Sequence, residues 1–365
     1  MIAEQEQELL TLFGKKKWRK GQRELVEWAM QGQACLGVLP TGHGKSLSFQ
    51  VAALMMGGCS VVISPLIALM QDQVAVLQGL GIAAARFDSS LGLEEREQVL
   101  HRLRAGEVRL LYLAPESMDK AELLSILQEI ELGLFVVDEA HCVSAWGHSF
   151  RPDYLKLPAW AARLPFKSLM ALTATATPRV RTDLQQAFGI DEQHCVVLPP
   201  YRDNIERHIQ ISSDKLADLK QFLAQPQHRP AIIYARSRKN VEELAAQLST
   251  PEQPVPCYHA GQHAETRAAT QQQFLNNDIQ VLVATIAFGM GIDKPDVRSV
   301  IHYHAPNSPE AYVQESGRAG RDGQPSRSLL LLDAQDDIAI RNRIWAEEPD
   351  AEGIARCVRW LVPPT

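Results

Sequence analysis

The chain has 365 residues, of which 45% are hydrophobic and 22% are charged. These proportions exclude a disordered chain, and the length predicts two domains. The formal net charge of −6 argues against a protein that coats nucleic acid or an anionic membrane by bulk charge, although it leaves room for a local basic groove.

Three features indicate the cellular compartment. The six cysteines lie far apart without a CxxC pair, which fits neither a disulfide framework nor a zinc site and is typical of a reducing interior. The N-terminus lacks the basic-then-apolar pattern of a secretory signal. The uncharged stretch 47–71 is interrupted by Gly57, Gly58 and Pro65, so it predicts a buried helix, a turn and a buried strand rather than a membrane span. We therefore expect a cytoplasmic protein.

In the first half of the chain, short apolar runs alternate with amphipathic segments such as 93–106 and 120–132. Continuous apolar strands that alternate with helices predict a parallel sheet covered by helices on both faces. The apolar runs span residues 35–40, 60–65, 108–115, 132–139 and 168–175.

The second half repeats this alternation after Pro199 and Pro200, with a helical pattern over 237–249. We predict two α/β lobes, residues 1–200 and 201–345, joined near 199–207 and followed by a helical tail over 346–365. The two sequences do not show whether the lobes share a fold. The apolar runs of this half span residues 230–236, 255–261, 279–285, 297–306 and 326–334.

A phosphate-binding loop is predicted where the run 35–40 leads into Thr41-Gly42-His43-Gly44-Lys45-Ser46 and a helix. Glycines let successive backbone N–H groups point at phosphate oxygens, and the helix N-terminus adds partial positive charge. Lys45 would reach the β- and γ-phosphates, and Ser46 would ligate Mg²⁺. The strict motif begins with glycine where this chain has Leu39, so the loop alone is not specific.

Two adjacent carboxylates, Asp138 and Glu139, follow the apolar run 132–137. Ligands of open α/β sheets bind at the carboxyl ends of strands. Asp138 would hold Mg²⁺, and Glu139 would orient and deprotonate the water that attacks the γ-phosphate. A solvated acidic loop is the alternative, which the phosphate-loop motif upstream disfavours.

Residues 40–46 and 138–141 resemble motifs I and II of superfamily 2 helicases. Segment 142–154 is similar to the aromatic-rich loop of RecQ-family DNA helicases, and segment 12–22 resembles their motif 0. The resemblance extends, in the expected order, from residue 9 to about residue 340. It implies two RecA-like lobes, with ATP and Mg²⁺ as cofactors.

By this resemblance, Arg19 and Gln22 of motif 0 would read adenine, and an amide suits that role because it both donates and accepts. The position where the family often has an aromatic residue is Lys15 here. The neighbouring lysines are interpreted as a solvated basic face. The implied nucleotide-binding residues are Arg19, Gln22, Thr41, Gly42, His43, Gly44, Lys45, Ser46 and Asp293.

Segment 314–323 resembles motif VI. Its two arginines would act as arginine fingers, which raise hydrolysis by about 10³–10⁵-fold, and their position on the second lobe would make catalysis depend on closure of the cleft. A solvated helix face is the alternative. The implied catalytic residues are Lys45, Glu139, Gln314, Arg318 and Arg321.

Trp146 and Phe150 of the aromatic-rich loop would stack on DNA bases, which is worth about 1–3 kcal/mol per base; core packing is the alternative. Ala145 and Ser149 stand where the family has polar residues. Segment 173–175 resembles motif III, and helix capping before Pro178 is the alternative for its threonines, Thr173 and Thr175. The other implied DNA-binding or coupling residues are Ser64, His141, Arg151, Thr173, Thr175, Arg236 and Thr285.

These motifs and the resemblance together predict an ATP-dependent DNA helicase that acts on single-stranded and forked DNA. The resemblance implies movement in the 3′→5′ direction and a role in repair or recombination. We expect a monomeric, nucleoid-associated protein with no membrane contact, no structural zinc and no zinc-binding or winged-helix extension, with Cys357 in a helix. The alternatives are a DNA translocase that does not separate strands, a non-catalytic DNA-binding scaffold, and an RNA helicase.

Overall fold

The computed structural model describes residues 2–144, 151–289, 294–336 and 338. Its contacts divide the chain into two compact units. Unit 1 comprises residues 1–203 together with 289–294 and 313–321, and unit 2 comprises the remainder. The predicted domain boundaries, which follow chain order alone, place residues 289–294 and 313–321 in the second lobe. Their contacts group both segments with unit 1.

Unit 1 is built on a seven-stranded sheet with the order β3-β4-β2-β5-β6-β1-β7, in which every strand pair is parallel. Five of its strands lie on predicted apolar runs, and β3 and β7 were not predicted. The strands are β1 Cys35–Val38, β2 Cys59–Ile63, β3 Ala84–Phe87, β4 Leu110–Leu113, β5 Leu132–Val137, β6 Ser168–Thr173 and β7 Cys195–Val197.

Both faces of this sheet are covered. Along β5, Phe135 and Val137 belong to one buried hydrophobic cluster, while Leu134 and Val136 belong to another on the opposite face. This confirms the predicted layering. The covering helices are α1 Ile2–Leu12, α2 Gln22–Met30, α3 Lys45–Met56, α4 Ile67–Gly79, α5 Leu93–Arg104, α6 Ala121–Glu129, α7 Leu157–Arg163 and α8 Pro178–Phe188.

The apolar stretch 47–71 forms most of α3, a turn, the buried strand β2 and the start of α4. Gly57 and Gly58 both have positive φ, 71° and 67°, so the chain reverses between helix and strand. No helix in the described part of the chain is long and apolar enough to span a membrane.

Unit 2 contains a six-stranded parallel sheet with the order β10-β11-β9-β12-β13-β8. Its strands are β8 Ile205–Ile211, β9 Ala231–Tyr234, β10 Cys257–Tyr258, β11 Val281–Ala284, β12 Ser299–His302 and β13 Ser326–Leu332. The helices of this part of the chain are α9 Lys215–Leu223, α10 Arg238–Leu248, α11 Ala264–Leu275 and α12 Pro309–Ser316, the last of which begins in unit 2 and ends in unit 1.

The two sheets share one topology. Numbered from the first strand of each unit, both have the order 3-4-2-5-6-1, and unit 1 adds β7 beside β1. Strand β8 is therefore the counterpart of β1, and the β8–α9 junction is the counterpart of the predicted phosphate-binding loop. The predicted joint over 199–207 is too long, because β8 already begins at Ile205. Its sequence, IERHIQI, lacks an apolar run since most of its side chains are exposed.

Candidate functional site

The predicted phosphate loop lies between β1 and α3, at the carboxyl end of its sheet. Gly42 and Gly44 have φ of 76° and 87°, and Gly44 is the left-handed N-cap of α3, which begins at Lys45. No side chain caps this helix start. Lys45 Nζ lies 3.5 Å from the Leu39 carbonyl oxygen, and Ser46 is half-buried. The helix N-terminus therefore presents its partial positive charge to a ligand.

Both glycines are also required by close neighbours. A methyl group on Gly44 would lie 2.8 Å from Gln22 Nε2. One on Gly42 would lie 3.0 Å from Arg202 Nη1 and 3.0 Å from Arg321 Cγ. Three separate segments of unit 1 thus contact the same loop.

The motif 0 residues lie against this loop. Gln22 is buried, its Nε2 donates to the carbonyl oxygens of His43 and Gly44 at 2.9 Å each, and its Oε1 accepts from the Arg19 N–H at 2.8 Å. The Arg19 guanidinium donates to the Gly42 carbonyl oxygen. Burial, followed by the charges of Arg19, Lys45 and Arg202, lowers the pKa of His43 below its ordinary value, although its contact with the Lys20 carbonyl opposes this. Arg19 and Gln22 brace the loop.

The two predicted carboxylates follow β5. Burial and the adjacent Glu139 carboxylate raise the pKa of Asp138, while Lys45 opposes the shift. Glu139 has φ 48°, a left-handed conformation that is uncommon outside glycine, and its N–H donates to Asp138 Oδ1 at 2.9 Å. Glu139 Oε2 is buried without a hydrogen-bond partner. Lys45 and the carboxylate pair therefore share one electrostatic environment.

Motifs II and III meet through His141. Its Nδ1 lies 2.9 Å from Thr173 Oγ1 and 3.4 Å from Glu139 Oε2, and the ring is buried. The Thr175 hydroxyl is buried without a hydrogen-bond partner. Neither threonine caps α8, because Thr177 Oγ1 accepts from the Val180 N–H at 3.3 Å. The capping alternative for Thr173 and Thr175 is therefore wrong.

Arg151 contacts the segment that follows β2 and contains Ser64. Arg151 Nη1 donates to the Pro65 carbonyl oxygen at 3.1 Å. The Ser64 hydroxyl is buried without a hydrogen-bond partner. The Tyr154 hydroxyl donates to the Asp138 carbonyl oxygen at 3.1 Å. The C-terminal part of the predicted aromatic-rich loop thus contacts both the segment after β2 and the carboxylate pair.

The motif VI arginines occupy different environments within unit 1. Arg318 is buried, and its guanidinium donates to the carbonyl oxygen of Gly289, where a methyl group would overlap the guanidinium. Gly289 has φ 145°, so both its conformation and its contact favour glycine. Arg321 lies against Gly42 of the phosphate loop. Gln314 is half-buried in α12.

Arg202 is a site residue that sequence reasoning did not identify. It follows Pro199 and Pro200 in the segment between β7 and β8, and it belongs to none of the motifs. Its Nη1 donates to the carbonyl oxygens of Gly317 and Ala319 at 3.2 and 3.1 Å. A single arginine in a loop carries no periodicity or spacing that could have singled it out.

In unit 2, Arg236 and Thr285 lie at the carboxyl ends of β9 and β11. Arg236 Nη2 donates to Asp336 Oδ1 at 2.9 Å, and Asp336 also pairs with Lys215, the first residue of α9. Thr285 Oγ1 accepts from the Ala287 N–H at 3.4 Å, within its own turn. Each of these two predicted DNA contacts thus has a partner within its own unit.

Four residues of interest, Trp146, Phe150, Asp293 and Cys357, lie outside the described residues. Within the described ranges no group of three or more His, Cys, Asp or Glu side chains could hold a metal ion. The cysteines described there, all with free thiols, are Cys35, Cys59, Cys142, Cys195 and Cys257.

Two family models match the chain: a DEAD/DEAH box helicase domain over residues 19–184 and a helicase conserved C-terminal domain over 214–323. The ATP-dependent DNA helicase RecQ of Haemophilus influenzae is 40% identical over 342 residues, 94% of this chain and 55% of its own. The probable ATP-dependent DNA helicase RecS of Bacillus subtilis is 39% identical over 363 residues, 98% of this chain and 72% of its own. The chain thus spans about half the length of the first relative and more of the second.

Solved structures share the fold at low identity. Saccharomyces cerevisiae Dbp5 bound to RNA and ADP BeF3 superposes with a TM-score of 0.72 at 17% identity, covering 94% of this chain and 90% of its own. The Mycobacterium smegmatis helicase Lhr bound to ssDNA and AMP-PNP gives a TM-score of 0.69 at 22% identity, covering 90% and 47%. The fold alone is therefore common to proteins bound to RNA and to DNA.

Proposed function

Since this chain belongs to the RecQ family of ATP-dependent DNA helicases, we propose that it hydrolyses ATP and uses the hydrolysis to move along single-stranded DNA and separate duplexes. Movement in the 3′→5′ direction and a role in repair or recombination are part of this proposal, as the family implies. The proposal places the protein in the cytoplasm, at the nucleoid, where its DNA substrate lies.

One observation carries the proposal: separate segments of unit 1 converge on the phosphate loop. Gln22 contacts the loop from the N-terminal side, and Arg202 and Arg321 lie against Gly42. The Lys45 charge acts on Asp138 at the end of β5. Cations and an open helix N-terminus around glycine backbone form a site for a polyphosphate.

The residues at this site fit a nucleotide with a divalent cation. The Ser46 hydroxyl and the Asp138 carboxylate offer the oxygen ligands that Mg²⁺ prefers, and Glu139 Oε2 is a buried acceptor that receives no hydrogen bond. Bound there, Mg²⁺ would neutralise charge on the phosphates. Lys45 would bind the β- and γ-phosphates, and Glu139 would accept a proton from the attacking water.

Arg321 and Arg318 would stabilise the charge that develops during phosphoryl transfer. Arg321 is the better placed, because its side chain already lies on Gly42, whereas the Arg318 guanidinium donates to the Gly289 carbonyl oxygen. Gln314, in the helix that leads to both arginines, would complete this set.

DNA would be held by local contacts, because the net charge of −6 gives no general attraction for phosphates. Arg151 contacts the Pro65 carbonyl in the segment that contains Ser64, and His141 joins Glu139 to Thr173, so nucleic acid at the ends of β2 and β6 would lie near the hydrolytic carboxylate. The proposed base-stacking residues Trp146 and Phe150 belong to the intervening segment.

The test is the rate of ATP hydrolysis without nucleic acid and with single-stranded DNA, forked DNA or single-stranded RNA, at two salt concentrations, beside an unwinding assay on the fork. We expect DNA to stimulate turnover, RNA to have little effect, and the fork to be separated. The Lys45→Ala variant should lose nearly all of its DNA-stimulated turnover.

Lys239→Ala is the matched control, because Lys239 is 83% exposed on α10 and pairs only at 3.7 Å with Glu243. Equal rates in wild type and Lys45→Ala would exclude the ATPase assignment. Turnover without unwinding would favour a translocase, and stimulation by RNA alone would favour an RNA helicase.

A further inference from the structure

Arg202 connects two parts of unit 1 that are distant in sequence. Its Nη1 donates to the carbonyl oxygens of Gly317 and Ala319, at 3.2 and 3.1 Å, and its Nη2 donates to that of Gly320. These carbonyls belong to the turn that follows α12, which ends at Ser316. One guanidinium therefore holds three carbonyl groups of a single turn.

This bonding has a physical reason. The C-terminal end of a helix carries partial negative charge, and these three carbonyl groups lie just beyond that end of α12, so a cation there is favourable. Arginine presents its donors as a planar fork and can therefore serve several oxygens at once, whereas the lysine ammonium is a compact point charge. The turn that Arg202 binds carries Arg318 and leads directly to Arg321.

The same guanidinium is close to the phosphate loop. The position of a methyl group on Gly42 would be 3.0 Å from Arg202 Nη1 and 3.0 Å from Arg321 Cγ. Beside it, a methyl group on Gly317 would lie 3.0 Å from Thr41 Cβ. The loop and the turn are thus in close approach at two places: a glycine of the loop faces Arg321, and a glycine of the turn faces Thr41. Arg202 lies beside the first of these.

We propose that Arg202 is a positioning residue for hydrolysis: it holds the turn 317–320 against Thr41 and Gly42 and thereby sets where the Arg321 guanidinium lies. This inference rests on the proposed ATPase function. Three of the five N–H donors of the Arg202 guanidinium serve the carbonyl oxygens of this turn, so the proposed role of Arg202 is exerted through the turn and Arg321.

The test compares Arg202→Lys, Arg321→Ala and the double variant by kcat, KM for ATP and melting temperature. Lysine keeps the charge but lacks the fork. We expect kcat of Arg202→Lys to fall by on the order of 10²-fold, the loss typical of a misplaced catalytic group, with KM nearly unchanged. The double variant should be no slower than Arg321→Ala, because the two residues act as one unit.

Arg109→Lys is the matched control, since Arg109 also donates to a backbone carbonyl, that of Gly58 at 3.5 Å, at the opposite edge of the sheet. Its kinetics should match wild type. Arg202→Gln serves as a second variant. We expect its melting temperature to equal that of Arg109→Lys, so that a loss of kcat in Arg202→Gln cannot be attributed to unfolding.

Weaker binding of a non-hydrolysable ATP analogue by Arg202→Lys, together with losses that multiply in the double variant, would make Arg202 a phosphate ligand and overturn the proposal. Wild-type kcat in Arg202→Lys, or a lowered melting temperature that accounts for the loss in both variants, would also overturn it. Absence of ATPase activity in the wild-type protein would instead refute the proposed function.

Discussion

The two units start with the same strand–loop–helix junction and use it in opposite ways. In unit 1, β1 leads to Gly44, which leaves the start of α3 without a side-chain cap. In unit 2, β8 leads to Asp214, whose Oδ1 accepts from the Ala217 N–H at 3.0 Å and caps α9. The N-terminus of α3 is thus open to an external anion, whereas the N-terminus of α9 is already capped by the carboxylate of Asp214.

The first residue of α3 and the first residue of α9 are both lysines, Lys45 and Lys215. Like the two helix starts, they differ in whether a side chain of the protein already serves as partner. Lys45 makes one long contact with a backbone carbonyl. Lys215 is buried, pairs with Asp336 and lies 3.2 Å from Asp333 Oδ2. Shared topology therefore provides a place for a phosphate site, but the residues at the junction decide whether a site exists.

The largest expected effect compares the two lysines. Lys45→Ala should lower DNA-stimulated ATP turnover by at least about 10²–10³-fold, the loss for one group that stabilises developing charge. Lys215→Ala should leave binding of a fluorescent ATP analogue unchanged, because its ammonium serves unit 2 alone. The measurement is nucleotide titration and steady-state hydrolysis at a temperature where circular dichroism shows both variants folded. Loss of nucleotide binding in folded Lys215→Ala would contradict the inference that only Lys45 serves the nucleotide site.

Next in size is the loss of the buried carboxylate of unit 2. Asp336→Asn leaves Lys215 and Arg236 without their common charged partner, and removing one member of a buried ion pair costs about 3–5 kcal/mol. We expect about 3 kcal/mol, since Asp333 still neutralises Lys215. Urea unfolding monitored by probes in each unit should show a lower midpoint for unit 2 alone. An equal shift in unit 1 would contradict this.

A smaller effect tests the cap. Asp214→Ala removes the acceptor for the Ala217 N–H and should lower the free energy of unfolding of unit 2 by about 1 kcal/mol. Asp191→Ala is the control, because Asp191 precedes a short 3₁₀ turn without a capping hydrogen bond from its side chain. Chemical denaturation of both variants measures the difference, and equal midpoints would mean that the cap is energetically neutral.

The smallest effect is a pH dependence. Burial alone would raise the pKa of Asp333, but hydrogen bonds from the Asp336 N–H and the Lys215 ammonium lower it below its ordinary value of 3.8. Its stabilisation is therefore fully present above that value and lost as the pH falls through the lowered pKa. The stability difference between wild type and Asp333→Asn should be constant from pH 7 to 5 and disappear on further acidification. A difference that persists at the lowest pH would contradict this.

Most of the fold follows from apolar patterning, since ten runs mark ten of the strands. The three strands without a predicted run, β3, β7 and β8, all lie at sheet edges. Arg86 interrupts the apolar pattern of β3 and charged residues interrupt that of β8, while β7 is only three residues long. Edge strands need only one neighbour and tolerate polar side chains, so periodicity fails there.

The positions of the predicted phosphate loop and of the carboxylate pair at strand ends could be derived from the sequence, because each is a short run of special residue types after an apolar strand. Arg202 could not, since its role arises from three carbonyl groups more than a hundred residues away. Nor could the environment of Gln22 or the pairing of Arg236 with Asp336, because hydrogen bonds between distant segments leave no spacing in the sequence.

Strand β8 also affects how the protein will behave when concentrated. Among the described strands it pairs with β13 alone, and Ile209 and Ile211 are 66% and 88% exposed. An edge with free backbone N–H and C=O groups and apolar side chains is a template for strand addition by a second copy. Solubility should therefore be limited at this edge, and Ile211→Lys, which inserts a charge there, is the first substitution to make for work at high concentration.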